Sequence, residues 1–219
     1  MTGLFMAGLV VLLAFVVAII EIGALTFAYA RLGLDRRWAY ILLLASVIGA
    51  WINIPIARFA GHIEVEDTVV NFFGVRYRIP EVVRSGQTVL AVNVGGAVVP
   101  SALAGYLAVH AHLGWRVLIA VLIVAVGVNR FARPLPGVGI VVPTLVPPFF
   151  AVVAAVLVGG PSIAAIAYVA GTLGTLVGAD LVNLPRVRRW GAPVLSIGGA
   201  GTFDGIFLTG VIAVLLAAH

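Results

Sequence analysis

The sequence predicts an all-α integral membrane protein with about seven transmembrane helices, several of them broken by Gly and Pro. The first observation is composition: 63% of the 219 residues are hydrophobic and 10% are charged, whereas soluble domains contain about 25% charged residues. The second is that uncharged apolar stretches recur along the chain, and about 20 such residues cross a bilayer. The third is a similarity between the two halves of the chain.

The apolar stretches define the predicted spans in order. The first has no basic region before it and no cleavage site after it, so we expect a retained helix rather than a signal peptide. All spans belong to a single polytopic membrane domain, residues 1–219. They are 4–28, 38–57, 87–111, 115–131, 141–158, 161–183 and 192–217.

The distribution of arginine predicts the orientation, since all thirteen basic residues are Arg. A cytoplasmic amino terminus places nine of them on the inside and four outside, as the positive-inside rule favours. We therefore expect a multi-pass protein of the inner (plasma) membrane, in contact with the lipid bilayer. No dense basic stripe carries stacking aromatic residues, so we expect no nucleic-acid partner.

A β-hairpin is predicted at about 62–80, on the cytoplasmic side. Val75, Tyr77 and Ile79 alternate with Arg76 and Arg78, and the residues NFFG before them supply a turn. The hairpin would be either a surface cap that joins two helices or a gate over a cytoplasmic opening.

The two halves of the chain are similar in sequence. GADLVNLP (178–185) resembles GAWINIP (49–55) with one inserted residue, and PRVRRWGAPVLSIGGA (185–200) resembles PEVVRSGQTVLAVNVGGA (80–97) with a gap of two. This pattern predicts a parallel repeat of three helices, one linker helix and three helices. The copies would be 1–112 and 137–219, with the linker at about 115–131. Transporters of this kind bind their substrates where the repeats meet.

Two acidic residues in apolar surroundings are the main candidates for function. Asp180 follows nineteen uncharged residues, and Asp204 lies within GGAGTFDGIFL. A carboxylate in hydrocarbon costs about 2.5–3.5 kcal/mol or more and usually marks a functional site. In the repeat alignment Asp180 corresponds to Trp51 and Asp204 to Ser101, so the shared scaffold requires neither acid. The structural alternatives are an interfacial Asp180 and an Asp204 that only caps the last helix.

Several segments are predicted to break regular helices. The apolar residues 205–218 span about 21 Å as a helix, less than the hydrocarbon thickness of about 30 Å, so SIGGAG before them must share the crossing. NVGGAVVP (93–100) is its counterpart in the first copy. The stretch 133–150 contains five prolines and cannot form one regular helix.

A glycine face is predicted on the sixth span. Gly171, Gly174 and Gly178 recur at helical spacing and would allow close packing of a neighbouring helix. On a regular helix Asp180 would point away from this face, unless the helix opens at Gly178.

Further polar residues could complete the lining of a transport or ion-binding site. We expect no metal centre and no cofactor, because the chain has no cysteine and no zinc-hydrolase, serine-elbow or phosphate-loop motif. The candidate lining residues are Glu21, Asn53, Asn93, Asn183, Ser196 and Thr202.

Four segments carry a resemblance to a known family. NVGGAVVP, RPLPGVGI, GTLVGADLVNL and SIGGAGTFDGIFLTGVIAVLLA resemble the signature segments of the prokaryotic membrane family called domain of unknown function 1614. The resemblance implies a small polytopic inner-membrane protein with Asp180 and Asp204 in its motif blocks. It implies no activity.

Three hypotheses about function follow. The first is transport of a small solute or ion, with Asp180 or Asp204 binding a proton or cation. The second is an intramembrane aspartyl protease with an Asp180/Asp204 dyad acting on a peptide, because two close carboxylates that share a proton supply an acid and a base. Neither aspartate, however, lies in the G-x-G-D pattern of such proteases. The third is a structural membrane protein, and a homo-oligomer is compatible with all three.

Overall fold

The structure is a computed structural model, which describes residues 22–24, 26–60, 69–72, 75–78, 87–135, 139–160, 162–187, 194–199 and 205–217. Most of these residues are helical. Helical residues 22–24 and 26–31 are here called α1. The other helices are α2 (Arg36–Gly49), α3 (Val99–His110), α4 (Arg116–Phe131), α5 (Val146–Val158), α6 (Ile163–Thr175), α7 (Leu184–Val187) and α8 (Gly205–Leu216).

Seven strands are seen in the part of the chain that the structure describes. They form a three-stranded sheet, β1-β4-β7, and two separate hairpins, β2-β3 and β5-β6. Their bounds are β1 (Asn53–Ala60), β2 (Val69–Phe72), β3 (Val75–Arg78), β4 (Gln87–Asn93), β5 (Arg133–Leu135), β6 (Gly139–Val141) and β7 (Val194–Ile197).

Helix α6 is the centre of the bundle. Its residues are small or apolar and uncharged, and those from Ala165 to Thr172 are all buried. The surrounding helices α3, α4, α5 and α8 pack against it. Because α6 is uncharged and mostly apolar all round, it is stable only when it is enclosed by other helices.

The outer helices expose apolar side chains on the side that faces away from α6. On α4, Leu118, Leu122 and Val126 are more than 60% exposed, while Val124 and Val128 on the opposite face are fully buried. An apolar outer surface of this kind is unusual in a soluble monomer. Within the described ranges one helical run, Ile163–Val187, is long and apolar enough to cross a membrane. Both features are consistent with a membrane protein.

Three of the predicted transmembrane helices contain a β-strand, so the prediction of an all-α fold is wrong for these segments. The span at 38–57 becomes a helix that ends at Gly49 and a strand that begins at Asn53, and the spans at 87–111 and 192–217 each begin with a strand. These strands are short, apolar and rich in β-branched residues. Hydropathy alone does not distinguish such a segment from part of a buried helix.

The three-stranded sheet joins distant parts of the chain. Strand β4 is central: it runs antiparallel to β1 and parallel to β7. In the parallel pair Val89 lies opposite Val194 and Leu90 opposite Leu195. The sheet therefore connects the segments that precede α3 and α8.

Other predicted features agree with the structure. Strands β2 and β3 pair antiparallel within the predicted 62–80 hairpin, with Val70 opposite Tyr77. The stretch 133–150 is not one helix, since the β5-β6 hairpin precedes α5. Pro147 and Pro148 lie in the first turn of α5, where proline removes no helical hydrogen bond.

Candidate functional site

Two helices contain a wide π-helical turn, and both turns occur at glycine-containing segments. The first, π1, is Val94–Val98, immediately before α3; the second, π2, is Leu176–Leu181, immediately after α6. In π2 the Val182 N–H donates to the Val177 carbonyl at 3.0 Å, a bond across five residues instead of four. Turns of this kind are rare and are frequent at functional sites.

The glycine face of α6 allows close packing against its neighbours, as the sequence predicts. A Cβ atom on Gly178 would overlap the Ala125 carbonyl of α4, and a Cβ atom on Gly174 would lie 2.5 Å from the Val124 Cβ. At Gly171 it would lie 3.1 Å from the Ala151 Cβ of α5. The helix also opens at Gly178, the condition under which Asp180 need not point away from this face.

Two asparagine side chains satisfy the carbonyl groups that π2 leaves free. Asn129 Nδ2 donates to the Gly178 carbonyl at 3.0 Å. Asn183 Nδ2 donates to the same oxygen at 3.1 Å and to the Ala179 carbonyl at 2.9 Å, while Asn183 Oδ1 accepts from Arg186 at 3.1 Å. Asn183 is fully buried. The predicted lining residue Asn183 thus supports the backbone around Asp180.

Asn129 is a residue of this site that the sequence hypotheses missed. It lies two residues before the end of α4, 49 positions from its hydrogen-bond partner. The available signal was a carboxamide near the end of a strongly apolar helix. Buried carboxamides in such helices usually bond to a neighbouring helix.

The Asp180 carboxylate lies in π2, partly buried. Its Oδ2 atom accepts a hydrogen bond from the Gly198 N–H at 2.8 Å. Gly198 follows β7 with a φ of +71°, and a Cβ atom there would lie 2.6 Å from the Ala97 Cβ of π1. Within the described part of the chain no charged group interacts with Asp180. Asp180 is therefore held by the Gly198 N–H group, and no basic residue among those that the structure describes forms an ion pair with it.

Three other predicted lining residues meet on adjacent strands of the sheet. Asn93 Nδ2 donates to the Ala50 carbonyl at 2.8 Å and to Asn53 Oδ1 at 3.2 Å, and Ser196 Oγ donates to the same Asn53 oxygen at 2.5 Å. Asn93 Oδ1 accepts from the Gly96 N–H at 2.8 Å. Asn93 is buried and Asn53 is exposed. This cluster ties β1, β4 and β7 to the start of π1.

The remaining candidates, Glu21, Thr202 and Asp204, lie outside the described residues. The separation of Asp180 and Asp204 and the break expected before Asp204 therefore stay predictions.

The fold and the site define a class: a predominantly helical protein of membrane-type composition with a carboxylate at an opened helical turn. The family model described as "Protein of unknown function (DUF1614)" matches residues 47–216, and the chain belongs to this family. The match confirms the resemblance seen in the sequence, and it spans both π turns and both aspartates. No curated protein and no solved structure matches the chain significantly.

Proposed function

We propose that this protein is a multi-pass membrane transporter of a small solute or ion, coupled to protons through its intramembrane aspartates. The observation that carries the proposal is Asp180: a partly buried carboxylate in a π turn, bonded to the Gly198 N–H and without a basic partner among the described residues. Such an acid can bind and release a proton or cation. An ion pair with a basic residue would instead keep the carboxylate deprotonated.

The backbone around Asp180 supports the same function. Broken helices are tolerated at membrane depth where protein groups or water satisfy the exposed carbonyls. Asn129 and Asn183 do so at Gly178 and Ala179. Discontinuous helices of this kind form the substrate and ion sites of many transporters.

The pairing of β4 with β7 supports the proposed parallel repeat. The sequence alignment of the two halves places Val89-Leu90 on Val194-Leu195, and these residues are opposite each other in the sheet. Each strand leads into a glycine-rich segment and then a helix. Repeat copies that meet in this way would place Asp180 and Gly198 close to their interface.

We propose the topology that the apolar spans and the distribution of arginine predict. The chain crosses the inner (plasma) membrane several times with its amino terminus in the cytoplasm. The exposed apolar faces of the outer helices, such as Leu118, Leu122 and Val126 on α4, would contact lipid. The β2-β3 hairpin would lie on the cytoplasmic side.

A second candidate, intramembrane aspartyl proteolysis, is favoured by one contact. Gly198, the partner of Asp180, is six residues before Asp204. Six residues reach at most about 21 Å when fully extended, so Asp204 lies within that reach of Gly198, whose N–H is bonded to the first aspartate. A dyad requires a much closer approach, with the two carboxyl groups sharing a proton.

The test is proton flux into proteoliposomes under an imposed pH gradient. We expect flux in the wild type, and a loss of at least about tenfold, or about 1.4 kcal/mol in barrier height, in Asp180→Asn and in Asp204→Asn. Asp35→Asn is the matched control, because it removes an exposed carboxylate beside α2. Unchanged flux in both aspartate variants would contradict the proposal.

Peptide cleavage measured on the same preparations separates the two candidates. Cleavage that is lost in both aspartate variants, without wild-type proton flux, would replace transport by proteolysis. Neither flux nor cleavage would favour a structural role, in which amide replacements of the two acids are harmless.

A further inference from the structure

Three hydroxyl side chains form a line along the buried helix α6. Tyr168, Thr172 and Thr175 are spaced by four and three residues, so they lie on one face of the helix. Their exposed fractions are 1%, 0% and 3%. A polar line this deep in an otherwise apolar core requires an explanation, because small apolar residues would pack there as well.

The two threonine hydroxyls are not used to hold the fold together. Thr172 Oγ1 and Thr175 Oγ1 are buried and have no partner at hydrogen-bond geometry among the described residues, although Thr172 is near enough to the Tyr168 phenol to interact with it. Each buried hydroxyl without a partner costs about 1–3 kcal/mol. Burial alone does not distinguish these hydroxyls from Thr88; what distinguishes them is that they lie on one helix face together with Tyr168.

Two residues of the hydroxyl line, Tyr168 and Thr172, face α8. A Cβ atom on Gly210 would lie 2.7 Å from Thr172 Oγ1 and 2.8 Å from Tyr168 Cε2. The backbone of α8 therefore approaches the line closely. This packing excludes a bulky solute between α6 and α8 at this level.

The π turn brings Asp180 onto the same line. In a regular α-helix Ala179 would lie above Thr175, and Asp180 would be rotated by about 100° from that position. A π turn closes after five residues, so Asp180 takes the position above Thr175. The contact of Asp180 agrees with this rotation, because its partner Gly198 belongs to the segment that leads into α8.

We propose that Tyr168, Thr172 and Thr175 form a proton path along the α6–α8 contact that ends at Asp180. This inference rests on the proposed function and deepens it, because it names the species and the route. Side-chain hydroxyls accept and donate hydrogen bonds at once. The Cβ atoms of such neighbouring positions are about 5–6 Å apart, and Tyr168 and Thr172 interact directly through their hydroxyl groups.

Protons are conserved at every step. An oxygen on the path accepts a proton from one neighbour as its own O–H proton passes to the next. The Asp180 carboxylate accepts the last proton to become a carboxylic acid, and regains its charge when it releases that proton. No oxidant, reductant or metal ion takes part.

The test replaces single hydroxyls in the reconstituted full-length protein. Thr172→Val and Thr175→Val keep the side-chain shape and remove the hydroxyl. We expect proton flux to fall at least about tenfold in each, or about 1.4 kcal/mol in barrier height. Thr88→Val is the matched control, since Thr88 is also fully buried with an unpartnered hydroxyl but lies in β4, away from the line. Its flux should equal the wild type.

Serine variants separate the hydroxyl from the packing. Thr172→Ser and Thr175→Ser keep the hydroxyl and lose a methyl group, so they should retain flux even if they unfold at a lower temperature. Low flux in the serine variants with normal flux in the valine variants would assign these positions to packing and overturn the path. The same comparison works at either position if one valine variant does not fold.

The remaining outcomes distinguish this inference from the proposed function. Flux that is lost in Asp180→Asn but normal in both valine variants would overturn the path and leave transport standing. No proton flux in the wild type would overturn the path and the proton conduction on which it rests. Tracer sodium flux that depends on Thr172 and Thr175, without proton flux, would also overturn the path as a proton route.

Discussion

The two π turns lie at opposite ends of two different helices, and in each an asparagine side chain bonds to backbone groups that the helix leaves free. π1 precedes α3, where N–H groups are free, and the Asn93 side chain accepts from the Gly96 N–H. π2 follows α6, where carbonyl groups are free, and Asn129 and Asn183 donate to them. The first N–H groups of a helix lack acceptors, and its last carbonyl groups lack donors. Asparagine can bond to either kind of group, because its side chain contains both an acceptor and a donor.

The difference between the turns is the carboxylate. Both contain a glycine that contacts another backbone: Gly95 contacts α2, and Gly178 contacts α4. Only π2 contains an acid. A wide turn in this fold therefore requires glycine and asparagine but no aspartate, which separates what stabilises π2 from what it does.

The largest expected effect comes from adding a methyl group at either contact glycine. Gly178→Ala and Gly95→Ala would press a Cβ atom into backbone atoms, Ala125 O in the first case and Ser46 O and Ala50 N in the second. We expect each to reduce the free energy of unfolding by about 3 kcal/mol, at the upper end for overpacking. Thermal unfolding in detergent measures this.

Gly105→Ala is the control for both glycine variants. Gly105 is in α3, and a Cβ atom there would meet nothing within 4 Å. Alanine is the better helix former by about 1 kcal/mol, so this variant should be as stable as the wild type or more so. If only one π-turn variant unfolds at a lower temperature than the control, the two turns are not equivalent.

The next effect is expected from the asparagines that support each turn. Asn183→Ala leaves the Ala179 carbonyl without its side-chain donor, and Asn93→Ala leaves the Gly96 N–H and the Ala50 carbonyl without theirs. We expect each to lower the free energy of unfolding by about 2 kcal/mol, the cost of unsatisfied buried groups. Thermal unfolding again gives the value, and a change below the error of the method would contradict the assigned roles.

Asn129→Ala should have a smaller effect than Asn183→Ala, because the two side chains donate to the same Gly178 carbonyl. We expect a loss of about 0.6 kcal/mol, the average for hydrogen bonds between membrane helices. The double variant should lose more than the sum of the singles by at least about 0.5 kcal/mol, as is found for groups in one network. Additive losses would show that the shared acceptor does not couple them.

The smallest effect on stability should come from Asp180→Asn. The amide oxygen can still accept from the Gly198 N–H, so we expect a change within about 0.5 kcal/mol, as for substitutions that remove no special feature. Asp180→Leu removes the acceptor and should cost about 1 kcal/mol more. Both values follow from thermal unfolding. A large loss of stability in Asp180→Asn would mean that the charge itself stabilises π2. That result would contradict the conclusion that a wide turn in this fold requires no aspartate.

Local sequence signals predict much of the fold. The apolar run at 115–131 predicts a helix, and one is found at Arg116–Phe131. The hairpin within 62–80, the interruption at 133–150 and the glycine face of α6 are also found. In each case the signal is local: a run of apolar residues, a turn, a set of prolines or a spacing of glycines.

The central sheet and the support of Asp180 were not predicted, because both depend on distant contacts. β4, with the sequence QTVLAVN, is as apolar as part of a helix, and its neighbour β7 is about a hundred residues away. Asn129 likewise bonds to a carbonyl 49 residues later. The sequence identifies Asp180 as an isolated acid, but its partner Gly198 follows only from the assembled fold.

The parallel pairing of β4 with β7 has a consequence for the order of folding. β1 and β4 are separated by 26 residues, so their antiparallel pair can form early in synthesis. β7 is made about a hundred residues later, and until then β4 has an open edge that could pair with another chain. Contacts this distant in sequence form slowly. Closure of the sheet is therefore a late event in the maturation of the protein, and with it the Gly198 N–H first reaches Asp180.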